Sequence, residues 1–214
     1  MWGNLTGVKK NEYGFFQLDP IPTLEELEKH YRETYYQETK SATYSQEYEP
    51  EELEYIRGSL EEKEYLLKKF LSDEQRSFLD IGCGEGWALS YFQAHGWQVE
   101  GGDFSSYGIE KHNKKMMPFF EQGDVDTLCD RRIAAGKKYS VVHLDNVLEH
   151  VVDPRTILEK CENIEQVKEF LASFTLTFRM ILIPCRNIFA QAALFKIKNG
   201  FVPWNIFRIL VRTA

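Results

Sequence analysis

Short apolar runs alternate with polar, glycine-containing turns between residues 76 and 161. Arg76-Ser77-Phe78-Leu79 predicts the start of a short buried strand, and a glycine-rich turn leads from it into a helical segment, Leu89–His95. Gln98–Asp103 then predicts a second strand that ends in a carboxylate. Consecutive strand–helix–strand units imply parallel strands joined by right-handed crossovers.

Two further strands are predicted beyond this unit, from Pro118 to Gln122 and from Tyr139 onward. The pattern therefore predicts an α/β fold with a Rossmann-like parallel sheet and flanking helices over residues 73–161. Residues 1–72 are predicted to form a preceding helical segment, and residues 162–214 form an apolar tail of different character. A ligand is expected at the carboxyl ends of the strands, where the order of the strands changes direction.

The N-terminal segment contains two predicted helices. Thr23 and Glu26 form a capping-box pattern, and apolar residues follow it at helical spacing (Leu24, Leu27, Tyr31, Tyr35). A second helix is predicted from Pro50 to about Leu71. The tyrosine-rich stretch 35–45 between them has two interpretations, a lid over a ligand or a surface helical hairpin that packs on the sheet edge. Aromatic stripes at helical spacing favour the helical hairpin.

Composition narrows the class of protein. The 214 residues are 43% hydrophobic and 14% aromatic, which are values typical of globular proteins, and no apolar run is long enough to span a membrane. The four cysteines are scattered, which favours reduced thiols, no metal site and a cytoplasmic location (Cys83, Cys129, Cys161, Cys185). A net charge of −7 disfavours a nucleic-acid partner. Nothing in the sequence sets the oligomeric state.

The glycine turn carries the strongest functional signal. Gly82, Gly84 and Gly86 follow the first predicted strand, and Asp103 lies 21 residues beyond Gly82. Glycines at alternate positions let the backbone turn sharply and approach a ligand closely. An acidic residue at this distance is placed to accept hydrogen bonds from ribose hydroxyls. The combination predicts a nucleoside-binding site. Trp87 occupies the position where a dinucleotide fingerprint has its third glycine, which disfavours a nicotinamide cofactor.

The stretch Asp80-Ile81-Gly82-Cys83-Gly84-Glu85-Gly86 resembles motif I of class I S-adenosylmethionine-dependent methyltransferases. The resemblance extends to Gly123-Asp124-Val125 and to Leu148-Glu149-His150-Val151, an ending similar to that of quinone-biosynthesis methyltransferases. It implies S-adenosylmethionine as cofactor and a set of binding residues: Asp80, Gly82, Cys83, Gly84, Gly86, Asp103, Phe104, Asp124, Val125, Asp145 and Asn146. In the family, the residue matching Asp124 reaches the adenine amino group.

The resemblance implies transfer of a methyl group to a small-molecule acceptor at an oxygen or carbon atom. The Asp/Asn-Pro-Pro-aromatic motif of DNA amino-methylating enzymes is absent after the fourth strand. His150 is the candidate general base, because neutral imidazole accepts protons near pH 7. A structural histidine at a helix start is the competing and favoured interpretation of His150.

The tail departs from the family pattern, in which three more strands would follow. No Asp or Glu occurs from Phe170 to Ala214, and residues 162–214 carry three acidic and seven basic residues. A frameshift near residues 164–168 explains the change. In the shifted frame Met180-Ile181 forces Asp and Trp204-Asn205 forces Glu, within phrases similar to those of the family. A divergent but genuine apolar tail is the alternative, and the nucleotide sequence of the gene distinguishes the two.

Three functions follow, in order of preference. The first is an S-adenosylmethionine-dependent methyltransferase. The second is a degenerate module that binds the cofactor without catalysis, which the altered tail favours. The third is a nicotinamide-dependent oxidoreductase, against which Trp87 and the glycine spacing count.

Overall fold

The computed structural model describes residues 7–10, 16–33, 45, 47–69, 71–74, 76–164 and 171–174. Seven strands and six helices lie in this part of the chain. The strands are β1 (Val8–Lys10), β2 (Phe16–Leu18), β3 (Ser77–Ile81), β4 (Gln98–Asp103), β5 (Phe120–Gln122), β6 (Val141–Asp145) and β7 (Leu171–Phe174). The helices are α1 (Leu24–Glu33), α2 (Pro50–Leu67), α3 (Trp87–Ala94), α4 (Tyr107–His112), α5 (Val125–Ala134) and α6 (Pro154–Ile164).

Five of the strands form one parallel sheet in the order β5-β4-β3-β6-β7. The chain moves outward from β3 through β4 to β5, then returns to the other side of β3 to form β6 and β7. The direction of the strand order therefore reverses between β3 and β6, the place where open α/β sheets bind ligands. This architecture confirms the Rossmann-like fold predicted from the sequence.

The sheet has a hydrophobic core on each face. Because side chains alternate along a strand, Phe78 and Val141 project to one face, whereas Leu79 and Val142 project to the other. Helices α2 and α3 cover the first face with Leu60, Leu67, Leu89 and Phe92. Helices α5 and α6 cover the second face with Val125, Cys129, Ile157, Cys161 and Ile164.

Both N-terminal helices have the polar caps that their sequences favour. The hydroxyl of Thr23 accepts a hydrogen bond from the Glu26 N–H at 3.2 Å, and the Glu26 carboxylate accepts one from the Thr23 N–H at 2.8 Å. Glu49 and Glu52 form an equivalent pair before α2. The predicted capping box is thus confirmed, and each helix begins where its side chains satisfy free backbone N–H groups.

Several boundaries differ from the sequence predictions. Helix α2 ends at Leu67 rather than near Leu71, and α3 spans Trp87–Ala94 rather than Leu89–His95. The predicted third strand is shorter, because Lys114–Phe119 forms a 3-10 turn around Pro118, which has no N–H to donate to a sheet.

A fifth strand of the parallel sheet was not expected, yet β7 pairs with β6 through Leu171 to Phe174. Parallel pairing requires backbone N–H and C=O groups, which an apolar segment without proline supplies. The tyrosine-rich stretch 35–45, except for Ser45, and residues 165–170 and 175–214 of the tail lie outside the described residues. Accordingly, the lid and the frameshift remain predictions.

Candidate functional site

The glycine turn has the backbone conformation that its sequence requires. Gly82, Gly84 and Gly86 have φ angles of 71°, 51° and 73°, which residues with side chains rarely adopt. A Cβ atom at Gly82 would lie 2.4 Å from a methyl group of Val147, whereas one at Gly84 would meet nothing within 4 Å. The turn is therefore tightly packed at its base and open at its tip.

Asp103, at the carboxyl end of β4, lies beside this turn. Its Oδ2 accepts a hydrogen bond from the Gly84 N–H at 3.0 Å, and its Oδ1 accepts one from the Ser105 N–H at 3.1 Å. Burial raises the pKa of Asp103 to about 6, although these N–H groups oppose the rise. The predicted ribose carboxylate thus lies against the glycine turn.

Glu85, within the turn, connects it to the residues that precede α2. The Tyr48 hydroxyl donates a hydrogen bond to Glu85 Oε1 at 3.0 Å. The Tyr48 ring packs edge-on against Trp87 and His112, with centroid distances of 5.6 and 5.2 Å. Burial raises the pKa of Glu85 to about 7, and the nearby Asp103 carboxylate adds to the rise. Neither Tyr48 nor Glu85 was predicted from the sequence as a site residue.

A buried polar chain lies under the carboxyl ends of β3 and β6. His143 Nδ1 is 2.6 Å from Asp80 Oδ1, and His143 Nε2 is 3.2 Å from Lys63 Nζ. Lys63 Nζ also donates to Asp145 Oδ2 at 2.8 Å. Neither Lys63 nor His143 was predicted from the sequence as a site residue. The available signal was a histidine in the middle of an otherwise apolar strand, Val141-Val142-His143-Leu144.

Two predicted residues that follow β5 have structural roles at the start of α5. Asp124 is the N-cap of this helix, and its Oδ1 accepts a hydrogen bond from the Thr127 N–H at 2.9 Å. Val125 is buried in the core beneath it. The Asp124 carboxylate keeps acceptor capacity beyond this capping bond, because each of its oxygens has two lone pairs.

The remaining predicted residues surround the same strand ends. Cys83 is buried, and burial together with the Asp80 and Asp103 carboxylates raises the pKa of its thiol well above the usual range. Phe104 follows β4 and is half-buried. Asn146 follows β6 with a φ of 56°, and among the described residues its buried Oδ1 has no hydrogen-bond partner.

His150, the candidate base, ends a 3-10 turn that follows β6 and is exposed. Its backbone N–H donates to the Val147 carbonyl at 2.9 Å. The structure places His150 at the surface after the turn that leads away from Asn146. The role of its imidazole stays a prediction.

Comparison with known proteins gives one match to a family model. Residues 47–178 match the model described as a methyltransferase domain, and this range extends past the predicted frameshift position. No curated protein matches the sequence. No helix among the described ranges is long and apolar enough to cross a membrane.

Solved structures resemble the fold at low sequence identity. The plantazolicin methyltransferase BpumL, in complex with a pentazolic desmethylPZN analog and SAH, is 21% identical, with a TM-score of 0.53 over 71% of this chain and 60% of that chain. A SAM dependent methyltransferase from Archaeoglobus fulgidus is 22% identical, with a TM-score of 0.43 over 57% of this chain and 51% of that chain. The chain spans about half the length of the first structures that it matches. The likeness to BpumL supports the fold alone.

Proposed function

Because this chain belongs to the methyltransferase-domain family, as its glycine turn predicted, we propose that it binds S-adenosylmethionine and methylates a small-molecule acceptor. The cofactor would lie at the carboxyl ends of β3, β4 and β6. The observation that carries the proposal is the open glycine turn with Asp103 against it, within a matched methyltransferase domain. Family membership also disfavours the nicotinamide-dependent alternative.

The described residues fit this cofactor in three respects. The tip of the turn is open at Gly84, so a ligand can approach the backbone closely. The Asp103 carboxylate lies at the end of the second sheet strand, where ribose hydroxyls are recognised in nucleoside-binding folds. The buried Asn146 Oδ1 has no partner in the described part of the chain and is available to accept a hydrogen bond from a ligand N–H.

S-adenosylmethionine, when bound, supplies a methyl group activated by its sulfonium. The contribution of this chain is to hold and orient the reactants, because in-line displacement depends on near-attack geometry. Asp103 would accept hydrogen bonds from the ribose hydroxyls of the cofactor. The N–H groups at the start of α3 would face the carboxylate of its methionine part. Asp80, Asp145 and Asn146 would line the opposite side of the site. The N-terminal segment around Tyr48 would exclude water above Glu85.

The acceptor is proposed to be a small molecule with an oxygen or carbon nucleophile. Four carboxylates, those of Asp80, Glu85, Asp103 and Asp145, belong to the site or adjoin it, and the chain is acidic overall. This charge disfavours polyanions such as nucleic acids. The scattered cysteines are consistent with a reducing, cytoplasmic setting.

His150 is proposed as a base only for an acceptor whose nucleophile carries a proton of high pKa. His150→Gln keeps a polar side chain but cannot take up the proton. If His150 is the base, we expect the variant to retain cofactor affinity and to lose about a hundredfold in kcat. Unchanged turnover would assign His150 to a structural role.

The first experiment is calorimetric titration of the whole chain with S-adenosylhomocysteine, with NAD as the comparison ligand. We expect saturable binding of S-adenosylhomocysteine and none of NAD. Gly82→Val and Asp103→Ala should abolish binding, because the first forces a side chain into Val147 and the second removes the ribose acceptor. Gly136→Ala, at a positive-φ turn after α5, is the matched control for a strained glycine.

Failure of a folded, monodisperse sample to bind would overturn the proposal. Unchanged affinity in both site variants would overturn the assignment of the site while leaving the family intact.

A second candidate, a cofactor-binding module without catalysis, is favoured by the change in charge after residue 162. Sequencing the gene tests its premise, since early stop codons in the shifted reading frame would rule out the frameshift. Binding of S-adenosylhomocysteine without methyl transfer across a panel of phenols, carboxylates and activated carbon acids would support this candidate.

A further inference from the structure

Three ionisable side chains are buried together between the sheet and α2. Lys63, Asp80 and His143 are 6%, 3% and 3% exposed. Asp80 and His143 are direct partners in the register of β3 and β6, and they project to the face that carries Phe78 and Val141. Lys63 lies between Leu60 and Leu67 on the buried stripe of α2. The fold therefore directs a lysine into a position where the helix pattern calls for an apolar residue.

The contacts assign hydrogen-bonding roles to the two ring nitrogens of His143 when Lys63 is charged. A lysine ammonium only donates hydrogen bonds, so Nε2, at 3.2 Å from Lys63 Nζ, is the unprotonated nitrogen. The proton is then on Nδ1, which donates to Asp80 Oδ1 at 2.6 Å. The second bond of Lys63, to Asp145 at 2.8 Å, is charge-assisted. Lys63 thus contacts Asp145 directly and reaches Asp80 through the His143 imidazole.

Stability alone gives little reason for this arrangement. Burying charged groups carries a desolvation cost, and well-packed apolar residues often replace them without loss. The polar chain instead ends at Asp145, whose side chain is 40% exposed at the carboxyl end of β6. Asp80 and Asp145, the two carboxylates that Lys63 reaches, lie near the carboxyl ends of β3 and β6, where the cofactor is proposed to bind.

We propose that Lys63 is a positioning residue of the cofactor site: it fixes the Asp145 carboxylate and, through His143, the Asp80 carboxylate. This inference rests on the proposed function, because it takes Asp80 and Asp145 as residues that line the cofactor site. Lys63 acts on the ligand through these two side chains.

Glu64 offers a matched control on the same helix. It is also buried, and it accepts hydrogen bonds from Tyr91 at 3.1 Å and from Trp97 at 3.3 Å. Glu64 thus connects α2 to α3 and to the residue before β4, without touching the proposed site residues. Lys63→Met and Glu64→Met each replace a buried ion with an unbranched apolar side chain at neighbouring positions.

The experiment is titration of the whole chain and its variants with S-adenosylhomocysteine, with thermal unfolding measured in parallel. We expect Lys63→Met to weaken binding by about tenfold or more, the effect of losing a hydrogen bond to a charged group. Glu64→Met should lower the melting temperature but change affinity by less than about threefold in a folded sample. Lys63→Gln, which removes the charge but keeps a donor, is the second variant if the Met variant does not fold.

A double-mutant cycle separates positioning from a general loosening of α2. If Lys63 acts largely through Asp145, Lys63→Met should cost clearly less affinity in an Asp145→Asn background than in the wild type. Equal losses in both backgrounds, or an equal loss in Glu64→Met, would overturn the inference. If the wild type binds and Lys63→Met has the same affinity, the role of Lys63 is overturned while the proposed function stands. A wild type that binds no S-adenosylhomocysteine would overturn the proposed function as well.

Discussion

The two faces of the central sheet are built from different kinds of residue. Between the sheet and α5 and α6 the core is mostly apolar, with Ile81, Val142 and Leu144 against the helices. Its buried charge, Arg132 of α5, pairs with Glu100 of β4 and Glu121 of β5. Between the sheet and α2 and α3 the core contains the Lys63–His143–Asp80 chain among aromatic and aliphatic side chains. The buried charge of the first face thus joins α5 to β4 and β5, whereas the buried charges of the second face lie beside the proposed site.

The largest effect is expected from truncating the apolar face. Ile164 is fully buried, and its carbonyl accepts from the Tyr139 N–H, so it lies at the amino end of β6, away from the glycine turn. Ile164→Ala should lower the free energy of unfolding by about 3 kcal/mol through loss of burial and creation of a cavity. Chemical denaturation measures the loss, and the affinity of the folded sample for S-adenosylhomocysteine should not change. A clear loss of affinity would show that the two faces are coupled.

A smaller change in stability, joined to a change in binding, is expected on the polar face. His143→Asn keeps a donor near the position of Nδ1 but removes the contact with Lys63. We expect a loss of about 2 kcal/mol in the free energy of unfolding, as for a hydrogen bond to a charged group, and weaker ligand binding. Chemical denaturation measures the change in stability, and calorimetric titration with S-adenosylhomocysteine measures the change in affinity. Loss of stability with wild-type affinity would remove the proposed difference between the faces.

Titration of Asp103 supplies the next test. The pKa of this carboxyl is raised to about 6, so the folded chain binds more protons than the unfolded chain between about pH 4 and 6. The contribution of Asp103 to the free energy of unfolding is therefore present at low pH and is lost as the pH rises through about 6. Asp103→Asn should remove this part of the pH dependence of stability.

Ligand binding should show the opposite trend, because ionised Asp103 is the better acceptor for ribose hydroxyls. Affinity for S-adenosylhomocysteine should be about tenfold lower at pH 5 than at pH 8. Glu85, whose pKa is raised to about 7, titrates in the same range. Glu85→Gln is the control, and it should preserve the Asp103 step. A profile that Asp103→Asn leaves unchanged would contradict this assignment.

The smallest effect is expected at Tyr48, which lies above the turn rather than within either core. Tyr48→Phe removes the hydroxyl that donates to Glu85 and retains the ring against Trp87. We expect affinity to fall by about threefold, corresponding to a modest hydrogen bond, with little change in melting temperature. Calorimetry at pH 8 measures the effect. A loss as large as that expected for Lys63→Met would make the residues before α2 a principal part of the site.

Local sequence signals predicted the turn well and the ends of the elements less well. The glycines at positions 82, 84 and 86 predict a turn with positive φ angles, because few other residues adopt such angles. Strand β4 was predicted with its observed ends, Gln98 and Asp103. The strand before Gly123 was predicted too long, because apolar composition does not distinguish a strand from a 3-10 turn around Pro118.

The sequence by itself determined the glycine turn, the carboxylate of Asp103 and the succession of strands and helices, because these depend on conformational preferences and on spacing within about 30 residues. Only the tertiary structure decided that Lys63, Asp80 and His143 meet. Lys63 and His143 are 80 positions apart, and their contact requires both the register of β3 with β6 and the rotation of α2 on the sheet. Those are set by the packing of the whole core, which no local pattern encodes.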